Sequence, residues 1–346
     1  MDNALVFCKL EGEAVSEAWD SFVSEASSTT LAHLYGWRRV IAESYGHNAF
    51  YLAAKREGKI TGILPLVQVK SRLWGNTLTS MPFQDYGGIV AQDEEVFQFL
   101  MERALQLKKE YGARIMDLRY RNEPFSSAGQ AHGNKVTLAL DIAAGAEALW
   151  KSFPPKVRNQ VRKAEKSGLS VKSGGTELLE EFFRPFAVNM RDLGSPVHHP
   201  RFFEKIFSVF GDNTRIMLVQ EGRQTIGGLI AFFWKNTVTV PWASCYRRHF
   251  AKCPNNLLYW ETIKYACERG CVFFDFGRSS PDSGTYHFKL QWGAKPIPLH
   301  WEIFTDNDAG ISSESALLRS ASRLWRHIPV KLANFLGPSL RKFITN

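Results

Sequence analysis

The chain has 346 residues, 45% of them hydrophobic and 13% aromatic, with 43 Lys and Arg against 34 Asp and Glu for a formal net charge of +9. That length suggests two domains with proper cores, and the composition excludes a disordered or fibrous chain. No stretch approaches the ~20 apolar residues of a membrane span, and MDNALVFCKLEGE lacks the regions of a signal peptide, so a cytosolic protein is expected.

In chain order, the first clear element is a pair of apolar strands, AFYLAAKREGKITGILPLVQVK over residues 49–70, joined by a turn centred on Glu57-Gly58. Glycine in such a turn takes positive φ at little cost. MPFQDYGG, residues 81–88, reads as a strand-end turn in which Asp85 and Tyr86 stand beside a flexible Gly87-Gly88. VFQFLMERALQLKKEYGARIMDLRY predicts a helix ending at Gly112 and a strand carrying Asp117. Asp141 reads as a helix cap ahead of AEALWKSFPPKVRNQVRKAEKSGLSV. There Val157, Val161 and Ala164 share one helical face, which leaves Arg158, Arg162 and Lys166 as a basic stripe at i, i+4, i+8. Pro154 and Pro155 fit the start of that helix and Gly168 its end.

The opening pattern then recurs. RIMLVQEGRQTIGGLIAFFWKN, residues 215–236, is again two apolar strands about a Glu-Gly turn, Glu221-Gly222. NLLYWETIKYACERGCVFFDFGR is again a helix, a closing glycine (Gly270) and a strand with an Asp (Asp275). Gly58 and Gly222 are 164 residues apart, while Gly112 and Gly270, like Asp117 and Asp275, are 158 apart. Three landmarks at nearly one period predict two similar α/β units, each with a mixed, mostly antiparallel sheet flanked by helices. The boundaries expected are 1–150 for the first unit, 151–175 for a basic junction helix, 176–305 for the second unit and 306–346 for a basic tail. In the second unit TYHFKLQWG predicts a short helix and PIPLHWEIF one closing strand.

The charge is concentrated. Residues 151–175 net +6 and residues 311–346 net +5, so the remainder is close to neutral. Such patches point to polyanions (phosphorylated substrates, RNA or an anionic membrane surface) or to solvated helix faces. Cys8, Cys245, Cys253, Cys267 and Cys271 lack paired spacing, the nine His are scattered, and no metal constellation, P-loop or nucleophile elbow is present in the sequence.

Four motifs in order, KVRNQVRKAEKSGLSV (156–171), NMRDLGSPVHHPRFF (189–203), NNLLYWETIKYACERGCVFFDFGRS (255–279) and GTYHFKLQWGAKP (284–296), resemble the FemAB family. More narrowly, they resemble its branch found with exopolysaccharide and XrtA/PEP-CTERM sorting loci. The resemblance covers about residues 20–305 and implies tandem GNAT folds, in agreement with the repeat. It implies transfer of an aminoacyl group from aminoacyl-tRNA to the amine of a peptidoglycan precursor, or use of acyl-CoA as in wider GNAT relatives. Neither donor would be a permanently bound cofactor. Where CoA-dependent GNAT enzymes carry a glycine-rich turn that cradles pyrophosphate, this chain has RRHFAKCPNN, residues 247–256, with no glycine.

By resemblance Lys289 is the catalytic candidate, positioned to stabilise an oxyanion, with Phe288 and Tyr286 of the same segment lining the substrate site. Its alternative is a surface lysine. Arg158, Arg162 and Lys163 suit the phosphates of a nucleotide-linked or lipid-linked precursor, or tRNA, because guanidinium forks donate two coplanar hydrogen bonds. Asp275 is expected to orient or deprotonate the acceptor, or else to pair with Arg278. His198, in GSPVHHP, suits a general base by its ordinary pKa of about 6.5. Asp85 and Tyr86 are expected to line the acceptor pocket, or to form a plain turn. The tail segments ALLRSASRLWRHIP and LANFLGPSLRKF predict amphipathic helices that pack on the body or touch an anionic membrane at its inner face. The reading is an acyltransferase acting on a cell-envelope or exopolysaccharide precursor. Its rivals are the same fold using acyl-CoA and a non-catalytic precursor- or tRNA-binding module; no sequence-specific DNA reader is recognised.

Overall fold

A computed structural model describes residues 5–9, 13–71, 75–127, 129–131, 133–305 and 320–345. The chain divides into two compact units, the first from Met1–Gly133, Leu299–Ser320 and Ser339–Asn346, the second from Asn134–Pro298 and Ala321–Pro338.

Strands are numbered along the chain. The first unit's sheet contains β1 (Val6–Lys9), β2 (Asn48–Arg56), β3 (Lys59–Ser71), β4 (Gly75–Thr79), β5 (Val90–Ala91), β6 (Ile115–Tyr120) and β7 (Gln130–Ala131), joined by the much later β15 (His300–Thr305). Their order is β1-β2-β3-β4-β6-β15-β7, with β5 on β3, and among the described residues only β4 and β6 run parallel. Glu57 and Gly58, at φ 49° and 78°, close the β2–β3 hairpin with the left-handed turn whose twist matches that of the strands. Helices α1 (Glu13–Glu25), α2 (Trp37–Tyr45) and α3 (Glu94–Glu110) accompany this sheet. Asp93 caps α3 by accepting from the Val96 N–H at 2.9 Å, Glu94 and Glu95 lie at its positive end, and Lys108 and Lys109 at its negative end. Its face of Val96, Phe97, Leu100, Met101, Ala104 and Leu107 is buried, at about 1.5–3 kcal/mol for each large side chain. Gly62 of β3 permits that approach, since a Cβ there would lie 2.4 Å from the Val96 side chain.

The second unit's sheet contains β8 (Val136–Asp141), β9 (Leu169–Gly174), β10 (Thr214–Glu221), β11 (Gln224–Trp234), β12 (Thr237–Cys245), β13 (Phe273–Ser279) and β14 (Lys295–Pro298), in the order β14-β8-β13-β12-β11-β10-β9. Its helices are α4 (Gly145–Ser152), α5 (Pro155–Lys166), α6 (Leu179–Asp192), α7 (Pro200–Phe210), α8 (Pro254–Glu268) and α9 (Gly284–Leu290). Its one parallel pair, β12–β13, matches Thr239 with Asp275, as β4–β6 matches Thr79 with Asp117. The repeat read from the sequence is therefore a repeat of topology, and the expected pair of mixed, mostly antiparallel sheets is what forms.

The predicted boundaries at 150 and 305 differ from the observed units. β8 lies between β13 and β14, so residues 134–150 belong to the second unit. PIPLHWEIF is two strands rather than one: β14 ends at Pro298 on the edge of the second sheet, and β15 joins β6 in the first. Prolines cannot donate ladder hydrogen bonds, which suits Lys295–Pro298 to an edge and ends it there. Asp141 closes β8 rather than capping a helix, accepting from the Ala143 N–H at 2.9 Å, while α4 starts at Gly145 with Ala144 at its N-cap and no side-chain cap. In the tail, a helix spans Val330–Arg341; residues 306–319 of the predicted tail lie outside the described residues.

Candidate active site

β13 places Phe274 and Phe276 in the core and breaks register with β8 between Asp275 and Arg278. Gly277 occupies the break at φ +75°, where a Cβ would meet the Val240 carbonyl oxygen at 2.8 Å, so glycine is required. At this break the Lys289 ammonium, on α9, donates to the carbonyl oxygens of Gly277 at 2.7 Å and Arg278 at 3.0 Å. Lys289 is 6% exposed, which replaces the surface-lysine alternative with a fixed, enclosed cation. Asp275 is buried as well; its Oδ1 accepts from the Gly277 N–H at 2.8 Å and from the Thr137 hydroxyl on β8.

Lys135, just ahead of β8, donates to the Ser280 hydroxyl, and burial, reinforced by the Arg278 charge, lowers its pKa from the ordinary lysine value. Lys135 and Thr137 lie outside the sequence motifs, in a stretch the sequence places in the first unit. The signal that finds them is strand pairing, Arg278 opposite Thr137, which sequence spacing does not display. One carboxylate and three cations thus gather at the bulged end of β13. Ser283 sets α9 in place, accepting from the Tyr286 N–H at 3.2 Å and donating to the Ser280 carbonyl at 2.7 Å.

An aromatic wall backs this cluster. Phe288 lies 5.3 Å from Tyr259 and 6.3 Å from Trp292, and Tyr259 stacks on Phe276 at 5.3 Å. Burial raises the Tyr259 pKa far above the usual value, so its hydroxyl stays neutral. Tyr286 is half-buried at the margin of the same core. The rings continue from Trp292 through Phe153 and Trp260 to Trp150, over which the Arg162 guanidinium stands 5.6 Å from the ring centre. The structure thereby ties α5 and α9 to one core. On α5, Val157, Val161 and Ala164 are buried as predicted, while Arg162, Lys163 and Lys166 are exposed. Arg158 is half-buried, and its Nε is enclosed without a hydrogen-bond partner.

Other candidates fall elsewhere. His198 is 1% exposed, stacked on Phe202 at 4.5 Å and flanked by Phe203 and Trp242. Those ring contacts are packing contacts, and none of them is to a residue of the β13 cluster. Asp85 and Tyr86 belong to the first unit, in a loop more constrained than a plain turn. Met81 and Phe83 take positive φ, Trp301 Nε1 donates to the Asp85 carbonyl at 3.1 Å, and Tyr86 is buried with Arg121 5.9 Å from its ring centre. Beside that loop Asp117 pairs with the fully buried Arg119 at 2.7 Å, an ion pair absent from the sequence reading.

The glycine-free segment folds as a 3-10 helix, Arg247–Lys252. Within it the His249 N–H donates to the Tyr246 carbonyl and the Cys253 N–H to the Phe250 carbonyl, both at 3.0 Å, while Lys252 and His249 pair with Glu221. Among the described residues no group of three or more His, Cys, Asp or Glu is placed to hold a metal, and no helix is long and apolar enough to cross a membrane. Burial raises the pKa of Cys245, Cys267 and Cys271, so these thiols are protonated rather than nucleophilic.

Residues 151–290 match the family model of the acetyltransferase (GNAT) domain. Three solved structures are similar in fold: that of FemX (TM-score 0.69, 17% identity, 88% of this chain and 99% of that one), a tandem GNAT protein from the clavulanic acid biosynthesis pathway (0.58, 12%, 88% and 99%), and the C-terminal domain of a putative lysylphosphatidylglycerol synthetase from Agrobacterium fabrum (0.58, 12%, 88% and 95%). No curated protein matches the chain significantly. The fold is that of the tandem GNAT proteins, and the second unit carries a GNAT-type acyltransferase domain.

Proposed function

We propose that the protein transfers an aminoacyl group from aminoacyl-tRNA to an amine or hydroxyl of a phosphorylated or lipid-linked cell-envelope precursor. The acceptor belongs to peptidoglycan or exopolysaccharide synthesis on the cytoplasmic side, the setting implied by the XrtA/PEP-CTERM resemblance. The observation that carries this reading is the Lys289 ammonium, held by two backbone carbonyls at the bulged end of β13 beside the buried Asp275. In the reaction an acceptor nitrogen or oxygen attacks the ester carbonyl, and Lys289 stabilises the oxyanion in an enclosed, low-dielectric site. The acceptor's proton passes by way of Asp275 to the departing ribose oxygen as the ester C–O bond breaks. Arg158, Arg162 and Lys163, with Arg278 and Lys135, hold the phosphates; the enclosed Arg158 Nε is a donor that an anion would satisfy.

Residues 247–256 contain no glycine, where a pyrophosphate-cradling turn needs bare backbone, and this supports tRNA over CoA as donor. The acetyltransferase family model favours a second reading, the same transfer from acyl-CoA. The test is donor discrimination: labelled aminoacyl-tRNA pools or acyl-CoAs, with candidate envelope precursors, and Lys289→Met as control. Lys289-dependent transfer from tRNA is expected. Transfer from CoA alone moves the protein to the second reading, and silence with both donors despite tight precursor binding leaves a non-catalytic module.

A further inference from the structure

The described tail residues 320–345 contain Arg323, Arg326, Lys331, Arg341 and Lys342 and no carboxylate side chain. One side of the segment is seated on the second unit. Ala333 is buried, a Cβ on Gly337 would lie 3.0 Å from the Val197 nitrogen, and Arg191 donates to the Ile328 carbonyl at 2.9 Å. Gly194, at φ +79°, leaves room for Ser322, which would lie 2.3 Å from an added Cβ. The other side is bare. Leu332, Phe335 and Leu336, at i, i+3 and i+4, are 44%, 79% and 39% exposed, and Leu324 is 72% exposed. Arg323, Arg326, His327 and Lys331 are exposed as well.

Water is a poor solvent for a phenylalanine and three leucines gathered on one short segment, and a face of this kind marks an interaction surface. We propose that it is a docking surface for anionic lipid headgroups. The apolar side chains enter the headgroup–acyl boundary, while Arg323 and Lys331 reach lipid phosphates through their flexible stems. Charge selects this occupant over a second copy of the chain. A two-fold interface formed by this face would set the cations of one segment against those of the copy's segment, which carries no carboxylate to offset the repulsion. The inference is independent of the transferase reading, because docking needs neither donor nor acceptor.

The test is co-sedimentation of the full chain with vesicles of phosphatidylcholine alone and of phosphatidylcholine mixed with phosphatidylglycerol. The wild type should pellet with the mixed vesicles and stay in solution with the neutral ones. Phe335→Ser/Leu336→Ser should weaken binding by at least about tenfold, as removal of inserted apolar surface requires, with the melting temperature retained because the seated face is untouched. Arg323→Glu/Lys331→Glu should do the same through charge alone. Absence of binding to mixed vesicles, or equal binding by the serine variant, overturns the proposal. So does a dimer on size exclusion that the serine variant abolishes, since the face would then be covered by another copy.

Discussion

Lys289 is enclosed, and its ammonium donates to two backbone carbonyls. Lys289→Met removes its hydrogen bonds to the Gly277 and Arg278 carbonyls, a cost of about 1–3 kcal/mol. If it also stabilises the oxyanion, single-turnover transfer should fall by about 10²–10³. Urea unfolding and single-turnover rates on the folded fraction separate the two effects; a structural lysine would lower stability and leave the rate. At Gly277, alanine must adopt φ +75° with its Cβ against the Val240 carbonyl, so Gly277→Ala should lose more than about 1 kcal/mol in the same urea experiment. In the first unit, Asp117→Ala strips the buried Arg119 of its carboxylate, and about 3–5 kcal/mol should be lost on thermal or urea denaturation. Sequence reasoning reached Lys289 and Asp275 through motif order, but not Arg119 or Lys135. Their roles come from pairing across strands and from loops folding back, which neighbouring residues in the chain do not announce.

Among the elements, α5 combines a buried apolar stripe with exposed cations, and both were legible from 3.6-residue spacing, Pro154-Pro155 and Gly168. Reversing Arg162 and Lys163 to glutamate should spare the fold, since both side chains are exposed, apart from the Arg162 contact with Trp150. Affinity for a phosphorylated acceptor should fall by about tenfold or more, as loss of charge-assisted hydrogen bonds implies. Titration of the variant against the precursor, followed by intrinsic Trp fluorescence, measures it. The hairpins and the helix–strand units were equally legible because glycine-marked turns and apolar runs are local signals. The destinations of β8 and β15 were not. Both are short apolar strands whose composition fits either sheet, so partner choice rests on contacts more than a hundred residues away.

For the whole molecule, pH supplies a probe of the chain's closing segment. His47 Nε2 bonds the Lys342 carbonyl at 2.8 Å, and burial holds its pKa below the ordinary value of 6.5, assisted by the Lys342 charge and opposed by that hydrogen bond. The unfolded chain therefore takes up the proton first as pH falls. Stability from this group is complete above pH 6.5 and is lost as pH drops through the lower folded-state value. Melting curves between neutral and mildly acidic pH should show a decline that His47→Gln reduces.

The return of β15 to the first sheet also has a consequence for how the protein is made. β6 has β4 on one side, but its other neighbour, β15, is encoded about 180 residues later, after the whole second sheet. On a ribosome emitting roughly 5–20 residues per second, β6 must wait on the order of ten seconds or more with an unpaired edge. The amino-terminal unit is therefore the last to be finished, and a chain released near residue 298 would carry a complete second sheet beside an open first one. Nascent chains arrested at successive lengths and probed by protease should acquire resistance in the second unit before the first, reversing the order in which their residues leave the ribosome.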